Sequence, residues 1–181
     1  VVFSKFAQDE LSKYDNIKYD VIYPGVDKNV FYQIDKTKEK LKIRVENMPL
    51  DIKDSFIISC VAQNTDRKNI PFLLEAYKVF SKDKKNVFLI LVTDATDPHG
   101  YNLWDIIDKL KIKDKIAITK ESGPIYGMPD SKLNFIYNIS AVHVNTSIGE
   151  GLCLPVLEAM AAGTINIVTD YAACAELVEQ G

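Results

Sequence analysis

Two glutamates, Glu150 and Glu158, lie eight positions apart in the mostly apolar stretch SIGEGLCLPVLEAMAAG, which runs from Ser147 to Gly163. Gly149 and Gly151 allow close backbone approach to a ligand, and Pro155 opens a helix without wasting a donor. Free N–H groups are then expected at Leu154 to Val156, a place that favours an anion. Glu150 falls in the loop and Glu158 about one turn inside the helix. At a rise of roughly 1.5 Å per residue they are separated by about the length of a sugar unit or two and suit two parts of one ligand. A plainer reading stands beside this one: Glu150 as a charge complementing the helix dipole, Glu158 as a partly exposed helix position.

A second chemical cluster is QNTDRKN, residues 63–69, where Arg67 and Lys68 sit at the mouth of a helix. A phosphate would find positive charge and backbone donors together there. Equally, the loop reads as a solvated basic turn capped by Asp66 or Asn69. Asp94, Asp97 and His99 in TDATDPHGYN fit no firm metal-ligand spacing, and Asp-Pro with His-Gly is ordinary turn chemistry. His143, inside the apolar run AVHVNTS, reads as a packed, hydrogen-bonded histidine rather than a base.

These loops need elements to hold them. SFIISCVAQ (55–63) and NVFLILVTD (86–94) are nearly continuous apolar runs, as expected of strands covered on both faces. KIAIT, AVHVNTS and INIVTD complete a series of five, separated by helical patterns in NIPFLLEAYKVFSKD, YNLWDIIDKLKI, DSKLNFIYNIS and LPVLEAMAAG. The first helix carries Phe72, Leu73, Ala76, Tyr77 and Phe80 at helical spacing, the third opens at Asp130 or Ser131, and the fourth has Gly163 past its end. Another helix begins in CAELVEQ. Parallel strands need helical crossovers, so the pattern implies an α/β fold with a parallel sheet wound on both faces. In such sheets ligands collect outside the carboxyl ends of the strands.

Ahead of this repeat, VVFSKFAQDEL begins with Ser4 as the cap of an amphipathic segment, KYDVIYPGVD reads as a strand ended at Pro24-Gly25, and Lys36 to Leu50 reads as irregular or briefly helical. With 181 residues there is room for one domain plus an arm; 47% hydrophobic and 26% charged residues exclude disordered and collagen-like classes. A net charge of −3 gives no general attraction to nucleic acid or anionic membranes. Cys60, Cys153 and Cys174, odd in number and widely spaced in sequence, read as reduced thiols of a cytoplasmic protein.

The stretch at 147–163 resembles the signature of the family 4 (group 1) retaining glycosyltransferases, in which a serine, a Glu-Gly-Phe-Gly-Leu-Pro run and a Leu-Glu-Ala-Met-Ala-x-Gly run occur in that register. VVFSKFAQDEL, VIYPGVDKNVF, DRKN and IVTDYAACAELVEQG resemble further segments of the family in the correct order. What the resemblance implies is a Rossmann-like domain, the C-terminal, nucleotide-sugar-binding half of a GT-B glycosyltransferase. Residues 1–50 would form the end of the N-terminal domain with its linker arm, and 51–181 the donor-binding domain, cut at both ends. The donor would be a nucleotide-diphosphate sugar, and the reaction a hexosyl transfer. Glu158 would take the ribose hydroxyls, since carboxylates accept well from vicinal hydroxyls. Glu150, the catalytic candidate, would hold the donor sugar, with the amides of Gly151, Leu152, Cys153 and Leu154 nearby. Lys68, with Arg67 and Gln63 beside it, would meet the phosphates. No metal and no further cofactor are expected. The acceptor, a glycan, lipid or protein, would enter through the missing N-terminal domain, so the isolated fragment should bind donor without turnover; peripheral membrane association of the parent is left open.

Departures from the family pattern bear on the site. Gln63 stands where an arginine is usual, and Leu152-Cys153 replaces Phe-Gly, putting a side chain beside the phosphates or merely tolerating negative φ. Ala172-Ala173 replaces Gly-Gly, and Glu176 falls at a matching acidic position that also reads as a helix-terminal surface charge. Two alternatives therefore stand: a non-catalytic nucleotide-sugar-binding module, and a GT-B-like epimerase or phosphorylase.

Overall fold

The computed structural model describes residues 1–14, 16–35, 55–119 and 127–178. Five strands, β1 (Phe56–Val61), β2 (Val87–Val92), β3 (Ile116–Ile118), β4 (Val142–Asn145) and β5 (Ile165–Val168), form one parallel sheet in the order β3-β2-β1-β4-β5. Of the helices, α1 (Lys5–Leu11) precedes the sheet; α2 (Ile70–Ser81), α3 (Leu103–Leu110), α4 (Asp130–Ile139), α5 (Leu154–Ala161) and α6 (Ala172–Leu177) follow individual strands. The sheet is parallel, as the alternation of patterns implied, and Rossmann-like, as the resemblance implied.

Successive residues of a strand point to opposite faces, and β1 divides its side chains between two cores. Ile58 and Cys60 join Leu73, Leu74, Tyr77, Leu103 and Ile107 of α2 and α3, while Ile57 joins Ile136 and Ile139 of α4 on the other face. Burial of β1 on both faces explains why its sequence is a continuous apolar run. On α2 the buried stripe is Ile70, Leu73, Leu74, Tyr77 and Ser81. Phe72 and Phe80, assigned to that stripe by spacing, lie 58% and 42% exposed, because the packed stripe is rotated toward Ile70 and Leu74.

Ends of helices follow local chemistry. Pro155 occupies the first turn of α5, and Gly163 beyond its end sits at φ 77°, the left-handed region that glycine enters without a Cβ penalty. A Cβ at Gly163 would also come within 3.2 Å of the Gln33 side chain, so the arm passes over this turn.

The expected strand in KYDVIYPGVD is reduced to a bridge between Val2 and Val21, with Val2 N–H donating to the Asp20 carbonyl (2.9 Å) and Ile22 N–H to the Val2 carbonyl (2.9 Å). Its partner segment ends where α1 begins at Lys5, so no ladder can extend. Lys36 to Leu50, and with it the proposed boundary at 50/51, lies outside the described residues. The described residues ahead of the sheet nonetheless dock against α4 and α6. Glu176 of α6 accepts from the Lys5 and Phe6 N–H groups (2.9 and 2.5 Å) and from the Tyr23 hydroxyl (2.6 Å). Asn134 and Asn138, one turn apart on α4, bind the extended backbone at 32–34: Tyr32 N–H to Asn134 (3.2 Å), Ile34 N–H to Asn138 (2.7 Å), and Asn138 Nδ2 to the Tyr32 carbonyl (2.9 Å).

Candidate functional site

Strand order places the two suggestive loops side by side. Chain connections run outward from β1 to β2 and β3, then return across the sheet to β4 on the other side of β1. The carboxyl ends of β1 and β4 therefore flank the point where the winding reverses, the usual crevice for ligands in open α/β sheets. QNTDRKN leaves β1 there and the Glu150 loop leaves β4.

A ladder of hydrogen bonds fixes the two loops to each other. Ile148 N–H and Ser147 Oγ donate to the Arg67 carbonyl (2.9 and 3.1 Å), and Thr146 Oγ1 donates to the carbonyls of Lys68 and Asn69 (3.0 and 3.2 Å). Asn145, buried at the end of β4, accepts from Ser147 N–H at 2.9 Å and so folds the loop back on itself. Thr146 and Asn145 carry no charge or motif that marks them in the sequence; their position just after a buried strand is their signal.

On this scaffold Lys68 Nζ donates to Glu150 Oε1, and Arg67 Nη1 donates to Glu150 Oε2 (2.7 Å) and to the Gly149 carbonyl (2.6 Å). The Glu150 and Lys68 side chains are 7% and 12% exposed, that of Arg67 52%. Burial pushes the Glu150 carboxyl upward, but hydrogen bonding and charge from Lys68, then Arg67, outweigh it and hold the group below the usual glutamate value. Two cations against one carboxylate leave the cluster one positive charge in surplus, a suitable field for an anionic group. Arg67 thus points into the cluster, a direction its position in sequence left open.

Glu158, one turn into α5, is half-buried. Its Oε2 accepts from the Tyr137 hydroxyl at 2.8 Å. Burial raises its carboxyl above the ordinary value despite that bond.

Other expected residues fall differently. Gln63 is exposed, with Nε2 3.4 Å from Asp97 Oδ2, so its amide is turned to the β2 loop. Cys153 is 1% exposed at φ −109° and packs with Val156 and Cys174, its sulfur accepting from Asn145 Nδ2 at 2.8 Å. It also shares a thiol hydrogen bond with Cys174, so two cysteines distant in sequence meet. The side chain at this usually glycine position therefore enters the core rather than the crevice. Gly151 is exposed with open space around it, and Leu154 is 48% exposed. At the start of α5 the expected row of free donors is shorter: Pro155 has none and Val156 N–H is bonded to the Cys153 carbonyl (3.1 Å). Leu152 is half-buried between Gly151 and Cys153.

Asp94 and Asp97 accept from the N–H groups of Thr96 and His99 (both 2.9 Å), which is turn chemistry. Buried Asn64, unmarked in the sequence, ties the β1 and β2 loops through Nδ2 to the carbonyls of Asp94 (3.1 Å) and Tyr101 (2.6 Å). A Cβ at Gly100 would meet the Asn64 carbonyl at 2.0 Å, so glycine is required there. His143 is fully buried, its ring edge-on to Tyr137 and Nδ1 3.4 Å from Ser59 Oγ; burial pulls its pKa down to about 3, leaving it neutral and packed. Glu176 holds the arm through the Lys5 and Phe6 N–H groups and the Tyr23 hydroxyl. No helix among the described residues is long and apolar enough to cross a membrane.

The parallel five-stranded sheet of this order is Rossmann-like, and its structural neighbours are GT-B glycosyltransferases. The family profile described as glycosyl transferases group 1 matches residues 44–181; the chain belongs to that family. It is 31% identical over 178 residues to the O-antigen chain mannosyltransferase RfbU of Salmonella typhimurium, covering 97% of this chain and 43% of that one. To the sucrose synthase of Melioribacter roseus it is 27% identical over 197 residues, covering 92% and 24%. The chain therefore spans less than half the length of these curated relatives. Among solved structures, HepE of Anabaena in complex with UDP and glucose superposes with a TM-score of 0.75 at 19% identity, covering 99% of this chain and 46% of HepE. The C-terminal domain of the group 1 glycosyl transferase LpcC from Francisella tularensis gives 0.66 at 21% identity, covering 86% and 76%. These structural likenesses carry the fold.

Proposed function

We propose that this chain supplies the nucleotide-sugar-binding half, residues 51–181, of a retaining glycosyltransferase that moves a hexosyl group from a nucleotide-diphosphate sugar to an acceptor, with residues 1–50 as the arm to the acceptor half. The observation that carries the reading is the convergence of Lys68, Arg67 and Glu150 over the reversal point of the sheet, one loop away from a half-buried Glu158.

Glu158 would accept from the ribose hydroxyls and Glu150 from hydroxyls of the sugar. The diphosphate would lie between them, drawn to the surplus positive charge. As the glycosidic bond breaks, negative charge would grow on the departing diphosphate, and Lys68 would offset it. Glu150, ionised and hydrogen-bonded to two cations, would hold the sugar and stabilise positive charge developing at its anomeric carbon rather than attack it. In a retaining transfer the acceptor must arrive on the face from which the nucleotide departs. The names of the relatives, a mannosyltransferase and a sucrose synthase, support hexosyl transfer, and the UDP bound by HepE makes UDP-sugars the first donors to try.

A second reading, a binding module without turnover, draws on Gln63: it contributes no charge to the cluster and its amide is turned to Asp97.

Calorimetric titration of the chain with UDP-, GDP- and ADP-sugars tests the proposal, repeated with Lys68→Ala and Glu158→Ala. One donor should bind, and each substitution should weaken it about 10- to 100-fold, the range for hydrogen bonds to charged groups. Absence of binding to every donor by the folded chain would sink the reading.

A further inference from the structure

Tyr137 lies outside both chemical loops, fully buried on α4, yet its hydroxyl is the group that touches Glu158 (2.8 Å between the phenol oxygen and Oε2). Its surroundings leave the ring little freedom. His143 packs edge-on against it (centroids 5.3 Å apart, planes at 86°), and Phe31 of the arm packs from another side (6.1 Å, 60°). Ala159 of α5 and Ala162 just past its end belong to the same cluster, and Thr164 Oγ1 donates to the Tyr137 carbonyl at 2.6 Å. The ring is therefore held by α4, β4, α5 and the arm together.

A buried phenol facing a carboxylate stays protonated; burial first, then the charge of Glu158, pushes its pKa far above the ordinary tyrosine range. Tyr137 is thus a permanent donor that occupies one oxygen of Glu158. Such a bond fixes the carboxylate plane and leaves Oε1 as the oxygen with its accepting capacity directed elsewhere. An unanchored glutamate on a helix surface would instead sample several rotamers and lose entropy on engaging a ligand.

We propose that Tyr137 is a positioning residue for Glu158, and that the pair sets the preference of this site for a nucleotide with ribose hydroxyls over its deoxy counterpart. This rests on the reading of Glu158 as the ribose acceptor. Because Phe31 packs on the same ring, docking of the arm and the aim of Glu158 share one support.

The test compares UDP, GDP and ADP, each with its 2′,3′-dideoxy analogue, by calorimetry on the chain and on Tyr137→Phe, with thermal melts to verify folding. The unaltered chain should favour one ribonucleotide over its analogue. Tyr137→Phe should cut that ratio by about 5-fold or more, the scale of an ordinary net hydrogen bond. A residue that merely supports the fold would weaken both ligands alike. As a second readout, the affinity for the ribonucleotide should fall at a higher pH on the acid side in Tyr137→Phe, because the bond that opposes the burial-raised pKa of Glu158 is gone. Incorporation of 3-fluorotyrosine at position 137, a stronger donor of nearly the same shape, should move that acid limb the opposite way and serves equally if Tyr137→Phe folds poorly. An unchanged ratio in folded Tyr137→Phe, or an unmoved limb with the fluorinated ring, overturns the role of Tyr137. Failure of the unaltered chain to bind any ribonucleotide, or to prefer it over its analogue, overturns instead the underlying assignment of Glu158.

Discussion

Lys68 Nζ donates to Glu150 Oε1 across 82 positions of sequence, joining the loop that leaves β1 to the loop that leaves β4. Both side chains are largely removed from solvent, while the second cation on Glu150, Arg67, is half-exposed. Burial decides how much each partner matters.

Lys68→Met should destabilise the chain by about 1–3 kcal/mol, because Glu150 loses its buried partner and keeps a solvated one. Arg67→Met should cost less than about 1 kcal/mol, as exposed pairs do. Urea unfolding of both variants checks the order; equal costs would contradict the burial argument.

Glu150 and Glu158 respond to pH in opposite senses. The Glu150 pKa is lowered, so its contribution to stability is present above the unfolded glutamate value of about 4.3 and is lost as pH falls through the folded value. The Glu158 pKa is raised by burial, so its contribution is full below that unfolded value and is lost as pH rises through the folded one. Glu150→Gln should therefore lower Tm at pH 7, with a penalty that shrinks below pH 4. Glu158→Gln should raise Tm at pH 7 and lose that advantage in acid. Melting curves between pH 3 and 8 read both; shifts of the same sign at pH 7 would be incompatible with these environments.

Glu176→Ala should release the arm. Its carboxylate is bonded by two backbone N–H groups of α1 and by Tyr23, but it is exposed, so the global cost should be about 1 kcal/mol. Hydrogen exchange should quicken by about tenfold or more at the Lys5 and Phe6 amides while the β1 amides remain protected. Unchanged exchange at Lys5 and Phe6 would mean that something else holds α1.

Cys153→Ala removes the acceptor of the Asn145 side-chain N–H group in a buried site and should cost about 1–3 kcal/mol. Cys153→Ser, which keeps an acceptor there, should cost less. The reverse order in chemical denaturation would place the sulfur's value in packing alone.

Much of the fold was legible because each element states itself locally. The continuous apolar runs of β1 and β2 announce burial on both faces, and Pro155 and Gly163 mark the two ends of α5. What was not legible depends on which strands become neighbours. Arg67 and Lys68 meet Glu150 because β4 pairs with β1, and nothing within QNTDRKN encodes that partner. Nothing in DSKLNFIYNIS singles out Tyr137, since its contact with Glu158 requires α4 and α5 to pack. The strand expected in KYDVIYPGVD lacked a partner long enough to form a ladder, and Phe72 and Phe80 matched a helical period whose phase is set by the sheet beneath. Cys153 turned inward for the same reason: its neighbour Cys174 comes from a helix the local sequence does not place.

The most direct measurement is a crystal structure of the chain grown with the nucleotide sugar that calorimetry selects. The ribose hydroxyls should lie within hydrogen-bond distance of Glu158, the diphosphate beside Lys68 over the start of α5, and the sugar against Glu150. A nucleotide bound away from the reversal point between β1 and β4, or with its ribose turned from Glu158, would contradict the assignment of this crevice as the donor site.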